Sequence, residues 1–372
     1  MIKLLIVDDS ALMRRQLSSL FDAEPDFQIR MARNGREAVE ENRSFQPDVV
    51  TLDINMPEMD GLTALSMIMV ERPVAVVMVS SLTEKGALAT LEALNLGAID
   101  YVVKPGGTIS LSIDSIRASV ISKVRAASKA KLRPLGKVAP SKPAARGTAA
   151  QRESRAAQNA AAGAEKAVGA EKAAPTGKNF GSAGVVLIGV STGGPRTLES
   201  ILPNLPASFP WSVLVAQHMP ASFTLPFAQR LNGICAMPVV EASRPMTLEA
   251  GTIYIAKGGS DMQVVLRGGK PTVIPTPEHS AFLWHPSVEM LGKSALEIYD
   301  AAQVLGVMLT GMGNDGFQSF SDIKRKGGRT IAESEESAVV FGMPAELIKN
   351  GGATVTLAAD KIARQINSWV PG

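Results

Sequence analysis

Three carboxylates, Asp8, Asp9 and Asp53, stand directly after the short apolar runs IKLLIV and VVTL. Carboxylates gathered at strand ends repel one another unless a divalent cation joins them, and hard oxygen ligands suit Mg²⁺. Further along, Ser80 closes the apolar run VAVVMV, and the pair Lys104–Pro105 follows IDYVV. A hydroxyl and an ammonium are what a transferred phosphoryl group needs for its remaining oxygens. Singly, an Asp after a strand reads as the N-cap of the next helix. Jointly, Asp8, Asp9, Asp53, Ser80 and Lys104 compose a pocket for phosphoryl transfer.

A second constellation lies beyond residue 180. Gly189-Val190-Ser191-Thr192-Gly193 fits G-x-S-x-G after the apolar run VVLIGV, with Gly194 and Pro195 opening the next segment. Such glycines allow a sharp strand-to-helix turn that lifts a serine clear of a sheet, although a Gly-rich loop can equally cradle a phosphate. A serine nucleophile needs a base and a group to orient that base. The histidines are His218, His279 and His285. His218 ends the apolar run SVLVAQ and can stand beside Ser191, whereas His279 and His285 fall in a polar, Pro-rich stretch suited to surface or structural roles. Asp315 follows QVLGVMLT in the turn GMGNDG. The chain order Ser…His…Asp differs from the Ser…Asp…His of α/β-hydrolases, which points to convergent chemistry on another fold.

These residues need parallel strands to bring their ends together. In residues 1–116, strands are expected at Lys3–Val7, Phe27–Ala32, Asp48–Leu52, Val74–Val79 and Ile99–Val103, with helical stretches such as Ala11–Phe21 and Gly35–Asn42 between them. Continuous Val/Ile/Leu runs alternating with helices indicate a parallel sheet covered on both faces. The alternation resumes at Val185–Val190, Ser212–Gln217, Thr252–Ala256, Met262–Leu266 and Val304–Thr310, with antiparallel pairing expected around 251–275, where Gly258–Gly259 and Gly268–Gly269 mark turns. The fold class is α/β twice over: a flavodoxin-like (βα)5 domain at 1–120 and a doubly wound, mostly parallel α/β domain at 182–372.

Between them, residues 121–181 form an Ala/Lys/Pro-rich segment with the short duplication GAEKAV and GAEKAA. It has almost no large apolar side chain with which to offset ordering entropy, so a flexible tether is expected. Residues 117–180 carry 14 Lys or Arg and three acids, a charge of +11 that leaves −8 on the remainder of a chain whose net charge is +3. The basic character therefore belongs to the tether, and without a helix-turn-helix or an aromatic platform it gives no case for nucleic-acid binding. The six-residue apolar start is too short for a signal peptide or membrane span, and the lone Cys235 excludes an internal disulfide, both in keeping with a cytoplasmic protein.

The motifs VDDS (7–10), TLDINMPEMDG (51–61), MVSS (78–81) and YVVKP (101–105) resemble those of response-regulator receiver domains. The segments IGVSTGG (188–194), AQHMP (216–220), TGMGNDG (310–316) and VVFGMP (339–344) resemble the catalytic domain of the CheB chemotaxis protein-glutamate methylesterases. The receiver resemblance implies Asp53 as phosphoacceptor. It also implies Mg²⁺ held by Asp9, Asp53 and the carbonyl of Asn55, with Asp8 supporting the metal's waters, Lys104 meeting the phosphoryl group, and Ser80 and Tyr101 relaying its arrival. The catalytic resemblance implies Ser191 as nucleophile, His218 as base and acid, Asp315 as orienting carboxylate, the Met312 N–H as oxyanion donor, and Thr192 beside the nucleophile. No cofactor is implied for the ester chemistry itself.

The implied function is a phosphorylation-activated esterase that demethylates glutamate methyl esters on chemoreceptors and deamidates receptor glutamines. A chemotaxis histidine kinase would be its phosphodonor and methyl-accepting chemoreceptors its substrates, with neither nucleic acid nor membrane insertion involved. Two alternatives stand beside it: the same chemistry in a non-motility chemosensory pathway, or a non-catalytic phosphate sink or adaptor. One segment departs from the family pattern. The stretch before PSVE, polar in the family, reads HSAFLWH (279–285), placing Phe282, Leu283 and Trp284 on the substrate side.

Overall fold

The computed structural model describes residues 1–80, 83–104, 109–130 and 184–370. The expected tether, beyond its first ten residues, lies outside the described residues, as do Ser81 and Pro105 of the receiver-like motifs.

The first 103 residues build five strands, β1 (Ile2–Val7), β2 (Phe27–Ala32), β3 (Val49–Asp53), β4 (Ala75–Ser80) and β5 (Asp100–Val103), all parallel in the order β2-β1-β3-β4-β5. Central β3 and β4 are buried along their whole length, which is why they read as unbroken apolar runs. Helices α1 (Ala11–Asp22), α2 (Gly35–Ser44), α3 (Gly61–Glu71), α4 (Glu84–Leu96) and α5 (Ile109–Ala127) complete the layers. Each of α1 to α3 starts on a polar side chain that accepts a backbone N–H: Ser10 from Met13, Asn34 from Glu37 and Asp60 from Thr63. Helix α5 continues past residue 120, the boundary expected from the sequence. Val120, Ile121, Val124 and Ala127 recur at helical spacing and are buried against the sheet, so these residues do not behave as tether.

The second half forms a seven-stranded parallel sheet, ordered β15 (Val355–Leu357), β14 (Arg329–Glu333), β13 (Val304–Met308), β6 (Val185–Val190), β7 (Ser212–Gln217), β10 (Ile253–Ala256) and β8 (Val239–Ala242). The antiparallel pairing expected around 251–275 is narrower than the sequence suggested. β10 joins the parallel sheet, and only β11 (Asp261–Arg267) and β12 (Lys270–Thr276) form the hairpin, turning at Gly268–Gly269, with β9 (Met246–Thr247) on its flank. β10 lies between two parallel neighbours, and its four residues are all buried, an environment a hairpin arm would not have.

The helices covering this sheet are α6 (Gly194–Ile201), α7 (Ala221–Ile234), α8 (Val288–Ile298), α9 (Phe317–Arg325), α10 (Met343–Lys349) and α11 (Ala359–Trp369). The chain enters the sheet at β6, builds outward through β7, and returns to β6's other side with β13. β6 therefore sits at the topological switch point, where the carboxyl ends of parallel strands open a crevice. One apolar cluster runs from the receiver-like half, through Tyr101 and Leu91, into Phe223 and Phe227 of α7, so the two sheets share a packed boundary.

Candidate functional site

In the first sheet, the ends of β1 and β3 bring Asp8, Asp9 and Asp53 together, with ligand oxygens within 4.8 Å of one another. Asp8 and Asp53 are buried and Asp9 is exposed, so the cluster opens on one side. Lys104 reaches in from the end of β5, its Nζ 2.7 Å from Asp53 Oδ2 and 3.0 Å from Asp8 Oδ2. Asp8 Oδ2 is buried and, apart from this ion pair with Lys104, has no other partner among the described residues. Burial pushes the Asp53 carboxyl above its usual range, the Lys104 ammonium pulls it back, and Asp8 adds to the rise. For Lys104, burial acts to lower the ammonium, but hydrogen bonding and charge attraction to Asp53 and Asp8 prevail and it is raised.

An all-oxygen set of three carboxylates, two of them buried, fits a hard divalent cation. Asn55 is exposed at the rim, and its N–H reaches Asp53 Oδ1 at 3.4 Å. Ser80 is buried at the end of β4 and donates to the Gly86 carbonyl at 3.2 Å. Tyr101 is buried, its ring stacks on Phe223 at a centroid distance of 4.6 Å, and its hydroxyl has no hydrogen-bond partner among the described residues.

In the second sheet, Ser191, His218 and Asp315 follow the carboxyl ends of the adjacent strands β6, β7 and β13; the structure pairs His218 with Asp315, and no hydrogen bond joins Ser191 Oγ to His218 among the described residues. The Ser191 N–H donates to the Thr310 carbonyl at 2.9 Å, and the His218 N–H donates to the Val190 carbonyl at 3.1 Å, which ties each to its neighbouring strand. Gly193 turns the chain with φ +80, and a side chain there would meet Val339 at 2.6 Å. Gly311 is required for a different reason: a Cβ there would lie 2.7 Å from that of Ser191.

His218 Nε2 lies 2.9 Å from Asp315 Oδ2. Asp315 is then held from behind by Ser287 Oγ at 3.2 Å and by the N–H groups of Val288 at 2.7 Å and Glu289 at 3.0 Å. These backbone donors are the open amides of the first turn of α8, a favourable place for a carboxylate. With Nε2 committed to Asp315, Nδ1 is the ring nitrogen left for a proton, and it is buried and without a hydrogen-bond partner. Gln217 Nε2 donates to the Ser191 carbonyl at 3.0 Å and fastens the nucleophile turn.

Thr192 is buried, and its hydroxyl donates to Asp100 Oδ2 at 2.6 Å, a carboxylate at the start of β5 in the first sheet. The same carboxylate lies 3.0 Å from Lys123 Nζ. Met312, on the 310–316 loop, accepts a hydrogen bond at its Sδ from Ser122 of α5 at 2.9 Å. His279 is exposed, while His285 Nδ1 pairs with the buried Asp261 at 3.0 Å, a structural tie.

Several contributing residues escape sequence reasoning. Asp100, Gln217, Asp261 and Ser287 act through side chains meeting across distant elements. Only Gln217 had a local signal, its place directly before His218.

Residues 186–366 match the family model described as CheB methylesterase, and residues 4–113 that of the response regulator receiver domain. The chain is 51% identical to "Protein-glutamate methylesterase/protein-glutamine glutaminase 3" of Rhodospirillum rubrum over 371 residues, covering 100% of this chain and 96% of that one. It is 49% identical to "Protein-glutamate methylesterase/protein-glutamine glutaminase 2" of Rhodopseudomonas palustris, covering 99% of this chain and 98% of that one. Among solved structures, the Thermotoga maritima CheB methylesterase catalytic domain matches at 38% identity with TM-score 0.49, over 50% of this chain and 99% of that one.

Proposed function

The chain belongs to the CheB family of receiver-linked protein-glutamate methylesterases, and from that premise we propose how its own residues perform and regulate the reaction. The substrate is a glutamate methyl ester on a chemoreceptor. Ser191 Oγ attacks the ester carbonyl while His218 Nδ1 takes its proton. Asp315 receives the Nε2–H and steadies the imidazolium. The Met312 N–H faces the oxyanion, methanol leaves with the proton from His218, and water attacking by the same route frees the glutamate. Deamidation of a receptor glutamine is the same sequence with ammonia as the leaving group. The observation that carries this reading is the 2.9 Å His218–Asp315 pair, on a strand end bonded directly to the residue before Ser191.

Regulation comes from the receiver. Asp53 accepts the phosphoryl group from a chemotaxis histidine kinase and Lys104 meets its oxygens; Asp9, Asp53 and the Asn55 carbonyl would hold Mg²⁺, with Asp8 supporting its waters, and a bound ion would supply positive charge between the carboxylates and the phosphoryl oxygens. Ser80 and Tyr101 relay the event. Unphosphorylated, the receiver restrains the hydrolase, a reading supported by the Asp100–Thr192 and Ser122–Met312 contacts beside the nucleophile. A cytoplasmic setting accords with these partners, and among the described residues no helix is long and apolar enough to cross a membrane.

The test is methanol release from methyl-labelled chemoreceptor membranes, with and without a small-molecule phosphodonor and Mg²⁺. Ser191→Ala should lower the rate by on the order of 10³-fold or more. Methanol release independent of Ser191 would overturn the enzymatic assignment.

A further inference from the structure

The indole of Trp284 lies flat against the imidazole of His218, with ring centroids 5.7 Å apart and planes only 2° from parallel. On its other side the indole packs on the 310–316 loop so closely that a Cβ on Gly313 would meet its Cζ2 at 2.8 Å. Trp284 thus bridges the base and the loop that carries Met312 and Asp315.

The segment bearing it is built rather than draped. Buried Asp261 accepts from the His279 N–H at 3.2 Å, from His285 Nδ1 at 3.0 Å and from the Ser287 N–H at 2.8 Å. Ser287, three residues after Trp284, donates in turn to Asp315. One anchored segment therefore sets both the face of the imidazole and the carboxylate that orients it. Leu283, by contrast, is 84% exposed and contributes nothing to this anchoring.

We propose that Trp284 is a positioning residue for His218. It holds the imidazole in the plane where Nε2 meets Asp315 and Nδ1 is presented to Ser191, without itself touching the reacting atoms. This proposal rests on the esterase assignment above. A stacked aromatic pair contributes roughly 0.5–1.5 kcal/mol beyond area burial, which converts to about 2- to 13-fold in rate if spent on the base.

The experiment measures methanol release by the full chain, with phosphodonor and Mg²⁺, across a range of methylated-receptor concentrations. Trp284→Ala and Trp284→Leu should each lower kcat by about 3- to 10-fold with KM within twofold of wild type. Trp284→Phe, which keeps a flat ring, should restore most of kcat, and Leu283→Ala should leave it unchanged. The Leu variant keeps apolar bulk, so it decides the matter if the Ala variant does not fold. The proposal fails if Ala and Leu variants keep wild-type kcat, if Phe is as poor as Leu, or if the loss falls on KM alone. A wild type without Ser191-dependent methanol release would instead refute the esterase assignment, so the two failures are separable.

Discussion

Asp100→Ala should partly uncouple the esterase from its phosphorylation signal. Asp100 stands at the start of β5 and accepts the Thr192 hydroxyl at 2.6 Å, with the carboxylate and the threonine both nearly inaccessible to solvent. A hydrogen bond to a charged group in such a place contributes roughly 1.5–3 kcal/mol. At about 1.4 kcal/mol per tenfold, its loss moves the balance between restrained and free hydrolase by about 10- to 100-fold. The carboxylate also serves Lys123 Nζ and the Tyr101 N–H inside the receiver. Asp100→Asn, which keeps an acceptor, separates loss of the interdomain bond from damage to the receiver. The assay is methanol release by the full chain without phosphodonor, set against the stimulated rate as a ceiling. Basal activity should rise about tenfold or more in the Ala variant, or to the ceiling, with the stimulated rate unchanged. Basal activity within twofold of wild type, or basal and stimulated rates rising in parallel, would refute the reasoning.

Asp53→Asn should abolish stimulation by phosphodonor while leaving basal methanol release near that of wild type, measured as the ratio of the two rates. Mg²⁺ binding at the acidic cluster should raise the receiver's thermal midpoint, by an amount equal to about 1.4 kcal/mol at tenfold the dissociation constant; calorimetry of Asp9→Asn should show a smaller rise. Gly311→Ala, whose new methyl would press on the Ser191 Cβ, should lower kcat far more than it changes receptor affinity, read from initial rates. Phe320→Ala, at a fully buried position beneath β13, should cost about 3–5 kcal/mol of stability by denaturant unfolding, leaving the receiver's transition unchanged.

Both halves announce their strands because parallel strands buried on two faces have no polar side to interrupt the apolar run. That is true of Val185–Val190 and Ser212–Gln217, and the residues ending such strands, Ser191 and His218, are legible for the same reason. Short edge strands such as Val355–Leu357 carry little apolar surface and give no comparable signal. The antiparallel pairing expected around 251–275 is found at 261–276 and not at Ile253–Ala256, because a turn signal does not say which strand the chain turns toward. Asp100 was invisible as a site residue, and Trp284 showed only as an apolar departure on the substrate side, because their contacts depend on partners 92 and 66 positions away, Thr192 and His218. No periodicity encodes such meetings.

The placement of Asp100 also gives the switch a short physical route. Lys104, which meets Asp53, and Asp100, which meets Thr192, lie at opposite ends of β5. Four residue steps separate them, about 13 Å of extended chain. Between them Tyr101 stacks on Phe223 of α7, its hydroxyl buried and unpartnered. Under the proposed regulation, a phosphoryl group on Asp53 would compete for the Lys104 ammonium, which stands at the end of the strand that carries both contacts. β5 is held to β4 along its length, so it transmits a shift as a unit rather than absorbing it residue by residue. Tyr101 is buried in this strand with a hydroxyl that has no hydrogen-bond partner among the described residues, an unfavourable arrangement for a buried polar group. Under the proposed regulation, phosphorylation would loosen the stacked ring and the charged hydrogen bond together, and Tyr101→Phe should separate these two contributions: it keeps the stack, removes the unpaired hydroxyl, and is expected to reduce stimulation by phosphodonor with little change in basal methanol release. Unaltered stimulation in that variant would remove Tyr101 from the route and leave Asp100 as its sole terminus.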